Sequence, residues 1–142
     1  MRMTTKGRYA LRASLALAKL CDGVKPVSIK TISEYEDISP EFLEQIFFRL
    51  RKSGLISSVR GPGGGFLFAK PLDEILLKDI VDASGEGIKL SACSGSPHES
   101  CTREADCIAS DVWRELSQYI DAYLVSMSLN DILNRKPAKT RT

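Results

Sequence analysis

The chain has 142 residues, of which 43% are hydrophobic and 27% are charged, and its formal net charge is +2. This composition is that of an ordinary globular protein and excludes a low-complexity chain. No apolar run is long enough to cross a bilayer, and Arg12 and Lys19 interrupt the stretch 10–20 that would otherwise resemble a signal core. We therefore expect a cytoplasmic protein, and the length suits either one domain or one small domain with an appended arm.

The charge is divided unevenly along the chain. Residues 1–70 contain twelve Lys and Arg against six Asp and Glu, whereas residues 71–142 contain eight against twelve. A basic first half favours a polyanionic partner, because neutralising phosphates releases counterions. Charge alone is equally compatible with a solvated basic surface.

The first half of the chain predicts three helices. Periodicity indicates a first helix over 4–20, a second capped by Ser28 and a third capped by Ser39. In the third helix Pro40 suits the first position, and Glu41 suits the positive end of the helix dipole. Four apolar residues follow the i, i+3, i+4, i+7 pattern of a helix buried on one face: Leu43, Ile46, Phe47 and Leu50.

A β-hairpin is expected after the third helix. Two short strands, 55–59 and 66–69, are joined by a glycine-rich tip at 60–65. A fourth helix is expected over 78–83. Three helices followed by a hairpin with an extended tip are the element order of a winged helix-turn-helix. The predicted fold is therefore mainly α with a small β-hairpin, and the winged domain is expected to span 1–83.

The third helix is the candidate DNA-reading element, because its buried stripe leaves polar side chains on the opposite face. Gln pairs with adenine, Glu accepts from the cytosine amino group, and Arg or Lys reaches guanine or phosphate. Phe48 also projects from the stripe and can meet either a thymine methyl or a neighbouring helix. The candidate DNA-binding residues are Ser39, Pro40, Glu41, Glu44, Gln45, Arg49 and Lys52.

The hairpin tip is a second candidate contact with DNA. Gly63, Gly64 and Gly65 permit positive φ, and Arg60 at the base of the tip is long enough to enter a minor groove. The glycines are not a phosphate-binding P-loop, since no Gly-Lys-Ser/Thr follows them. A merely flexible loop is the alternative. Three basic residues of the first helix are either phosphate contacts or part of a solvated face: Lys6, Arg8 and Arg12.

Three of the four cysteines lie in one short polar segment, as Cys93, Cys101 and Cys107 with the spacing Cys-x7-Cys-x5-Cys. In a cytoplasmic protein such clusters are more often metal ligands or redox groups than structural disulfides. The spacing matches neither structural zinc sites nor ferredoxins, so zinc, an iron–sulfur cluster and free thiols all stay open. Cys21, at the end of the first helix, is expected to pack.

The last part of the chain predicts a helix that pairs with a single partner helix. From about 110 to 127 the apolar residues recur at spacings of 3, 4, 3 and 4, which gives a narrow seam. The seam residues are Trp113, Leu116, Ile120, Tyr123 and Met127. The predicted regions are thus a cysteine-rich cofactor loop at 84–109, a dimerisation helix and short C-terminal helix at 110–134, and a disordered basic tail at 135–142.

The segments 1–11, 43–46 with 49–52, and 57–65 resemble the IscR family of iron–sulfur cluster regulators, which is grouped with NsrR and CymR. The resemblance covers essentially residues 1–134, and 57–65 is its most specific part. It implies a homodimeric winged-helix transcription factor whose dimerisation helix lies at about 107–127. A symmetric dimer is expected to bind an imperfect palindromic operator.

The resemblance also implies roles for individual residues. Glu44 and Gln45 would discriminate operator bases, and Arg60 would enter the minor groove. Cluster-binding members carry three cysteines in this loop, so Cys93, Cys101 and Cys107 are expected to hold a cluster, which we predict to be 2Fe–2S.

The fourth ligand is where this chain departs from the family. Ser110 stands where IscR-like members have a histidine, and Arg8 stands where NsrR-like members have an acidic residue. His98, the only histidine, is either a ligand or a solvated surface residue. The other candidates are Glu99, Glu104, Asp106 and Asp111.

The leading hypothesis is a regulator that senses cluster status, iron, oxygen or nitric oxide. One alternative is a regulator of the same fold whose thiols form a disulfide or bind zinc. Another is a winged-helix scaffold for protein interaction. An enzyme is the least favoured class, because Cys101 and His98 have neither an orienting group nor an oxyanion site in such a loop.

Overall fold

The computed structural model describes residues 3–85 and 107–135. Cys93, His98 and Cys101, and with them most of the predicted cofactor loop and the predicted tail, lie outside the described residues. The predicted fold class is confirmed, since the described chain is mainly helical with one antiparallel hairpin. Its elements are α1 Thr5–Leu20, α2 Ile29–Glu36, α3 Pro40–Lys52, β1 Ile56–Val59, β2 Gly65–Phe68, a 3-10 helix Leu72–Glu74, α4 Leu77–Ala83, α5 Ile108–Ser126 and α6 Leu129–Leu133.

Side-chain caps set the start of four helices. The hydroxyl oxygens of Thr4, Ser28, Ser39 and Ser128 accept hydrogen bonds from backbone amides in the first turns of α1, α2, α3 and α6. Each cap satisfies an amide that the helix itself leaves unpaired. At α6 the bond is reciprocal, and the backbone amide of Ser128 donating to Asp131 lowers the pKa of that carboxyl.

The main core lies between α1, α2, α3 and the hairpin. Ala10, Ala13 and Leu17 of α1 are fully buried, and small alanine side chains allow the neighbouring helices to approach closely. The ring of Phe47 on α3 stacks on Phe66 of β2, with a centroid distance of 4.9 Å. This stacked pair fixes α3 against the root of the hairpin.

The hairpin is attached to the helices by a backbone contact that the sequence did not reveal. Val27, just before α2, donates to the carbonyl of Phe66 at 3.0 Å and accepts from its amide at 2.8 Å. Gly65 is required at this crossing, since a Cβ there would lie 2.3 Å from the carbonyl oxygen of Val27. The segment before α2 is therefore joined to β2 by a single antiparallel β-bridge at the root of the hairpin.

Helix α5 is anchored to the rest of the fold at its C-terminal end. Leu124 is buried there against Leu77 and Val81 of α4. Two backbone bonds of 2.8 Å continue the attachment, from the amide of Leu129 to the Ile75 carbonyl and from the amide of Leu77 to the Met127 carbonyl. In the part of the chain that the structure describes, no helix is long and apolar enough to cross a membrane.

The predicted seam on α5 is divided between two surroundings. Ile120 and Met127 pack against the α4 side of the molecule, whereas Trp113 and Tyr123 are exposed. The apolar surface of the helix is wider than the seam. Its exposed part, here called the exposed stripe, shares two residues with the seam and continues onto the adjacent face. The exposed stripe consists of Ile108, Val112, Leu116, Tyr119 and Tyr123.

We expect Leu129→Ala to lower the free energy of unfolding by about 2–5 kcal/mol, since it leaves a cavity in the main core. Leu129 is fully buried, and urea unfolding followed by circular dichroism measures the change. The half-buried Leu133 lies on the same short helix and outside the core clusters, so Leu133→Ala is the matched control with a smaller loss. Equal losses from both variants would contradict the anchoring role of Leu129.

Candidate DNA-binding surface

The outward face of α3 carries the polar residues predicted to read DNA. Leu43 and Phe47 are fully buried, Ile46 is 4% exposed and Leu50 is 1% exposed, so the opposite face must point to solvent. That face borders a shallow open depression of about 510 Å³, lined by Glu41, Glu44, Gln45, Phe48 and Arg49. The structure thus brings the candidate base-reading residues together on one accessible surface.

The N-terminal end of α3 is well defined. Ser39 accepts a hydrogen bond from the Phe42 amide at 3.3 Å, and Pro40 occupies the first helical position. The ring of Phe42 is held edge-on to Tyr9 of α1, with centroids 5.4 Å apart. These contacts orient the end of α3 that carries Glu41, without using the Glu41 side chain itself.

Phe48 lies on the exposed face of α3. It is 55% exposed, so it is not buried against any helix in the described part of the chain, and the Arg51 guanidinium lies 5.9 Å from its ring centroid. The same guanidinium donates to the Ser58 hydroxyl on β1 at 3.3 Å. Arg51 therefore links α3 to the first strand of the hairpin by a hydrogen bond. No sequence pattern predicted this role.

Two candidate phosphate or base contacts are engaged within the fold. Arg49 donates from Nη1 to the carbonyl of Ser84 at the end of α4, over 3.0 Å. Arg12 pairs through Nε with the Glu36 carboxylate at 3.0 Å and donates from Nη2 to the Glu36 carbonyl at 2.6 Å. Arg12, Arg49, Arg8 and Lys52 are all exposed. The first two therefore differ from the others in their bonds within the fold and not in their exposure to solvent.

The wing tip is a hydrogen-bonded turn that depends on glycine. Gly64 donates to the carbonyl of Gly61 at 2.9 Å, and Gly61 and Gly63 have φ values of 99° and 74°. A Cβ on Gly64 would lie 2.3 Å from the Val59 carbonyl oxygen. Arg60 is exposed at the base of this turn, so its side chain projects from a tip of defined shape.

One predicted cluster ligand is described. Cys107 is half-buried at the N-cap of α5, and its carbonyl accepts from the amide and the hydroxyl of Ser110, at 3.1 and 2.7 Å. Ser110 is 1% exposed, so this hydroxyl is bound to the Cys107 carbonyl away from solvent. Asp111, one helical turn after Cys107, accepts a hydrogen bond from Arg114 at 3.0 Å. Within 3–85 and 107–135, no three His, Cys, Asp or Glu residues are grouped as a metal site.

Cys21 is separate from that region of the chain. It is half-buried at the C-terminal end of α1, packs against the main core and donates from Sγ to the Lys25 carbonyl at 3.5 Å. Its surroundings fit the packing role expected from the sequence.

Comparison with known proteins gives consistent results for sequence and structure. The sequence model of the Rrf2 family, described as an iron-dependent transcriptional regulator, matches residues 3–135. The regulator IscR of Photorhabdus laumondii is 43% identical over 136 residues, covering 96% of this chain and 81% of that protein.

Solved structures of regulators share the fold. The global cysteine regulator CymR of B. subtilis superposes with a TM-score of 0.78 at 28% identity, covering 94% of this chain and 96% of that one. IscR of T. potens superposes with a TM-score of 0.76 at 30% identity, covering 100% and 94%.

We expect Gly64→Ala to weaken binding of duplex DNA by about tenfold, or ~1.4 kcal/mol, because the added Cβ collides with the Val59 carbonyl and displaces the wing tip. Fluorescence anisotropy on a duplex selected with the wild-type chain measures the affinity. Pro62→Ala, in the same exposed turn, is the control and should bind as the wild type does. Unchanged affinity of the Gly64 variant would show that the wing tip does not contact DNA.

Proposed function

The chain belongs to the Rrf2 family of transcriptional regulators, and on this basis we propose that it is a cytoplasmic, homodimeric DNA-binding regulator that senses an iron–sulfur cluster. Its relatives are named as regulators of transcription, and the chain is a regulator rather than an enzyme. The observation that carries the proposal is the exposed polar face of α3, which is held outward by four buried side chains.

In the proposed complex α3 lies in the major groove. Glu44 and Gln45 read base edges, while Ser39, Pro40 and Glu41 lie at the end that enters the groove first. Lys52 contacts a phosphate, and the exposed ring of Phe48 meets a thymine methyl. On the wing, Arg60 enters the minor groove, while Gly63 and Gly64 let the backbone approach the DNA.

The proposed dimer forms through the exposed stripe on α5. Its five large apolar side chains are between 40% and 86% exposed, and they recur at helical spacing along one face. A symmetric pairing of two such helices buries this stripe against its own copy. The operator is then an imperfect palindrome, read by two recognition helices about 34 Å apart.

The donor set of the chain fits an iron–sulfur cluster. Cys93, Cys101 and Cys107 supply three thiolates within one short segment, and thiolates are the ligands that such clusters prefer. Cys107 is the N-cap residue of α5, so a ligand there lies at the positive end of a helix dipole. A bound cluster supplies redox and ligand-exchange chemistry with which iron, oxygen or nitric oxide can be sensed.

The fourth ligand is proposed to come from His98 or a nearby carboxylate. Ser110 hydrogen bonds to the Cys107 carbonyl, and Arg8 is cationic, so neither position supplies the ligand found in other members. Asp111 lies one turn beyond Cys107 but is paired with Arg114. The remaining carboxylate candidates are Glu99, Glu104 and Asp106.

A regulator that uses a zinc ion or a disulfide at the same cysteines is the second candidate. The likeness to CymR of Staphylococcus aureus, whose structure is known in an oxidized form, favours it, because thiol chemistry alone can serve as a signal. Bound iron and sulfide distinguish the two candidates.

We expect the anaerobically purified protein to be coloured and to contain iron and sulfide, and Cys107→Ala to lose most of both, because it removes one of three thiolates. Absorbance together with iron and sulfide assays measures the content. Cys21→Ala is the matched control, since Cys21 packs on the main core, and it should keep the wild-type content. A wild-type protein that binds zinc, or no metal, would favour the second candidate.

We expect Tyr119→Glu to convert a dimer into a folded monomer, because it places charge in the middle of the exposed stripe on α5. Tyr119 is 66% exposed in the single chain, so the substitution should leave the fold intact. Gln118→Glu, on the polar side of the same helix, should stay dimeric. Light scattering after size-exclusion chromatography measures the mass, and a dimeric Tyr119 variant would rule out this interface.

A further inference from the structure

Arg49 differs from the other exposed residues of α3, because its guanidinium is bound to another helix. Nη1 donates to the carbonyl of Ser84 over 3.0 Å, and Ser84 is 2% exposed. This carbonyl lies at the C-terminal end of α4, where the helix leaves acceptors unpaired and its dipole favours a cation. The bond thus joins the recognition helix to the end of α4.

Gly85 forms the other half of this contact. It has φ of +83° and closes α4 in the left-handed conformation, with its amide donating to the Asp82 carbonyl at 3.1 Å. A Cβ at Gly85 would lie 2.0 Å from Nη1 of Arg49 and 3.3 Å from its Cζ. The absence of a side chain at Gly85 is therefore what allows the guanidinium to reach the Ser84 carbonyl.

The contact is next to the base-reading residues. Gln45 lies one helical turn before Arg49, and both line the depression on the outward face of α3. Both also line the small space next to Ser84, together with Lys6 of α1. A change in the position of Ser84 would consequently act on α3 within one turn of the residues proposed to read the operator.

We propose that Arg49 is a positioning residue that fixes α3 to the C-terminal end of α4, which directly precedes the cysteine segment in the sequence. Its hydrogen bond to the Ser84 carbonyl, which the missing side chain of Gly85 makes possible, sets the orientation of Glu44 and Gln45 towards the bases. The assignment rests on the proposed DNA-binding function and differs from a direct contact of Arg49 with DNA.

The test compares four full-length proteins, namely the wild type, Arg49→Gln, Gly85→Ala and the double variant, on a duplex selected with the wild type. Arg49→Gln removes the guanidinium, whereas Gly85→Ala keeps it and displaces it from its position. Both single variants should lose about tenfold in affinity and discriminate less well against single-base changes in the operator. The double variant should lose no more than either one, because both changes break the same contact.

Salt dependence separates positioning from direct contact with phosphate. A positioning role leaves the slope of log affinity against log salt unchanged, whereas loss of a phosphate contact reduces it by about 0.9. Gly85→Ala with wild-type affinity, a reduced slope for Arg49→Gln, or losses that multiply in the double variant would each overturn the assignment. A wild-type chain that selects no duplex would instead overturn the proposed function, and the role of Arg49 with it.

Two further variants control for effects on folding. Gly23 has φ of +87° and open space around it, so Gly23→Ala introduces the same backbone strain without touching Arg49 and should bind as the wild type does. Arg49→Lys keeps one donor that can reach the carbonyl and should recover part of the affinity and of the base discrimination. If Gly85→Ala does not fold, Arg49→Gln and Arg49→Lys decide the matter, since failure of lysine to recover discrimination would contradict a positioning bond.

Discussion

The burial of one stripe of α3 determines the orientation of the polar side chains that this helix contributes to the candidate DNA-binding surface. Leu43, Ile46, Phe47 and Leu50 are almost completely excluded from solvent, and their burial supplies the main driving force for docking the helix. A helix docked on one face has no rotational freedom left, so Glu44 and Gln45 must face outward. Without the buried apolar side chains, α3 would no longer hold Glu44 and Gln45 outward, even if every polar residue were unchanged.

The winged domain and α5 are connected in the sequence through the cysteine segment. The segment 86–106 connects to the described fold at Gly85 and at Cys107, which are the end of α4 and the start of α5. At the first connection, Arg49 of α3 is hydrogen bonded to Ser84. The second connection is the start of α5, the helix that bears the exposed stripe. Both connections therefore adjoin surfaces proposed to matter for DNA binding, one through orientation and the other through pairing.

Much of this fold follows from local sequence signals, and the parts that do not are contacts between distant residues. Ser28 and Ser39 were predicted as caps, because a cap acts within three residues of its position. The bond of Val27 to Phe66 and that of Leu129 to Ile75 join backbones far apart in the chain, and no side-chain pattern encodes them. From the sequence Arg49 is predicted to contact DNA. Its hydrogen bond to the Ser84 carbonyl is visible only in the folded chain. The roles of the cysteines and of the base-reading residues stay predictions.

Under the proposed pairing, the exposed stripe on α5 would also affect the fate of a newly made chain. An uncovered row of large apolar side chains, from Ile108 to Tyr123, is the kind of surface that chaperones and proteases recognise. A chain that has not covered this row stays vulnerable to degradation for as long as the row is bare. The cellular level of the protein would then be limited by how quickly newly synthesised copies cover it, and not only by how fast they are produced.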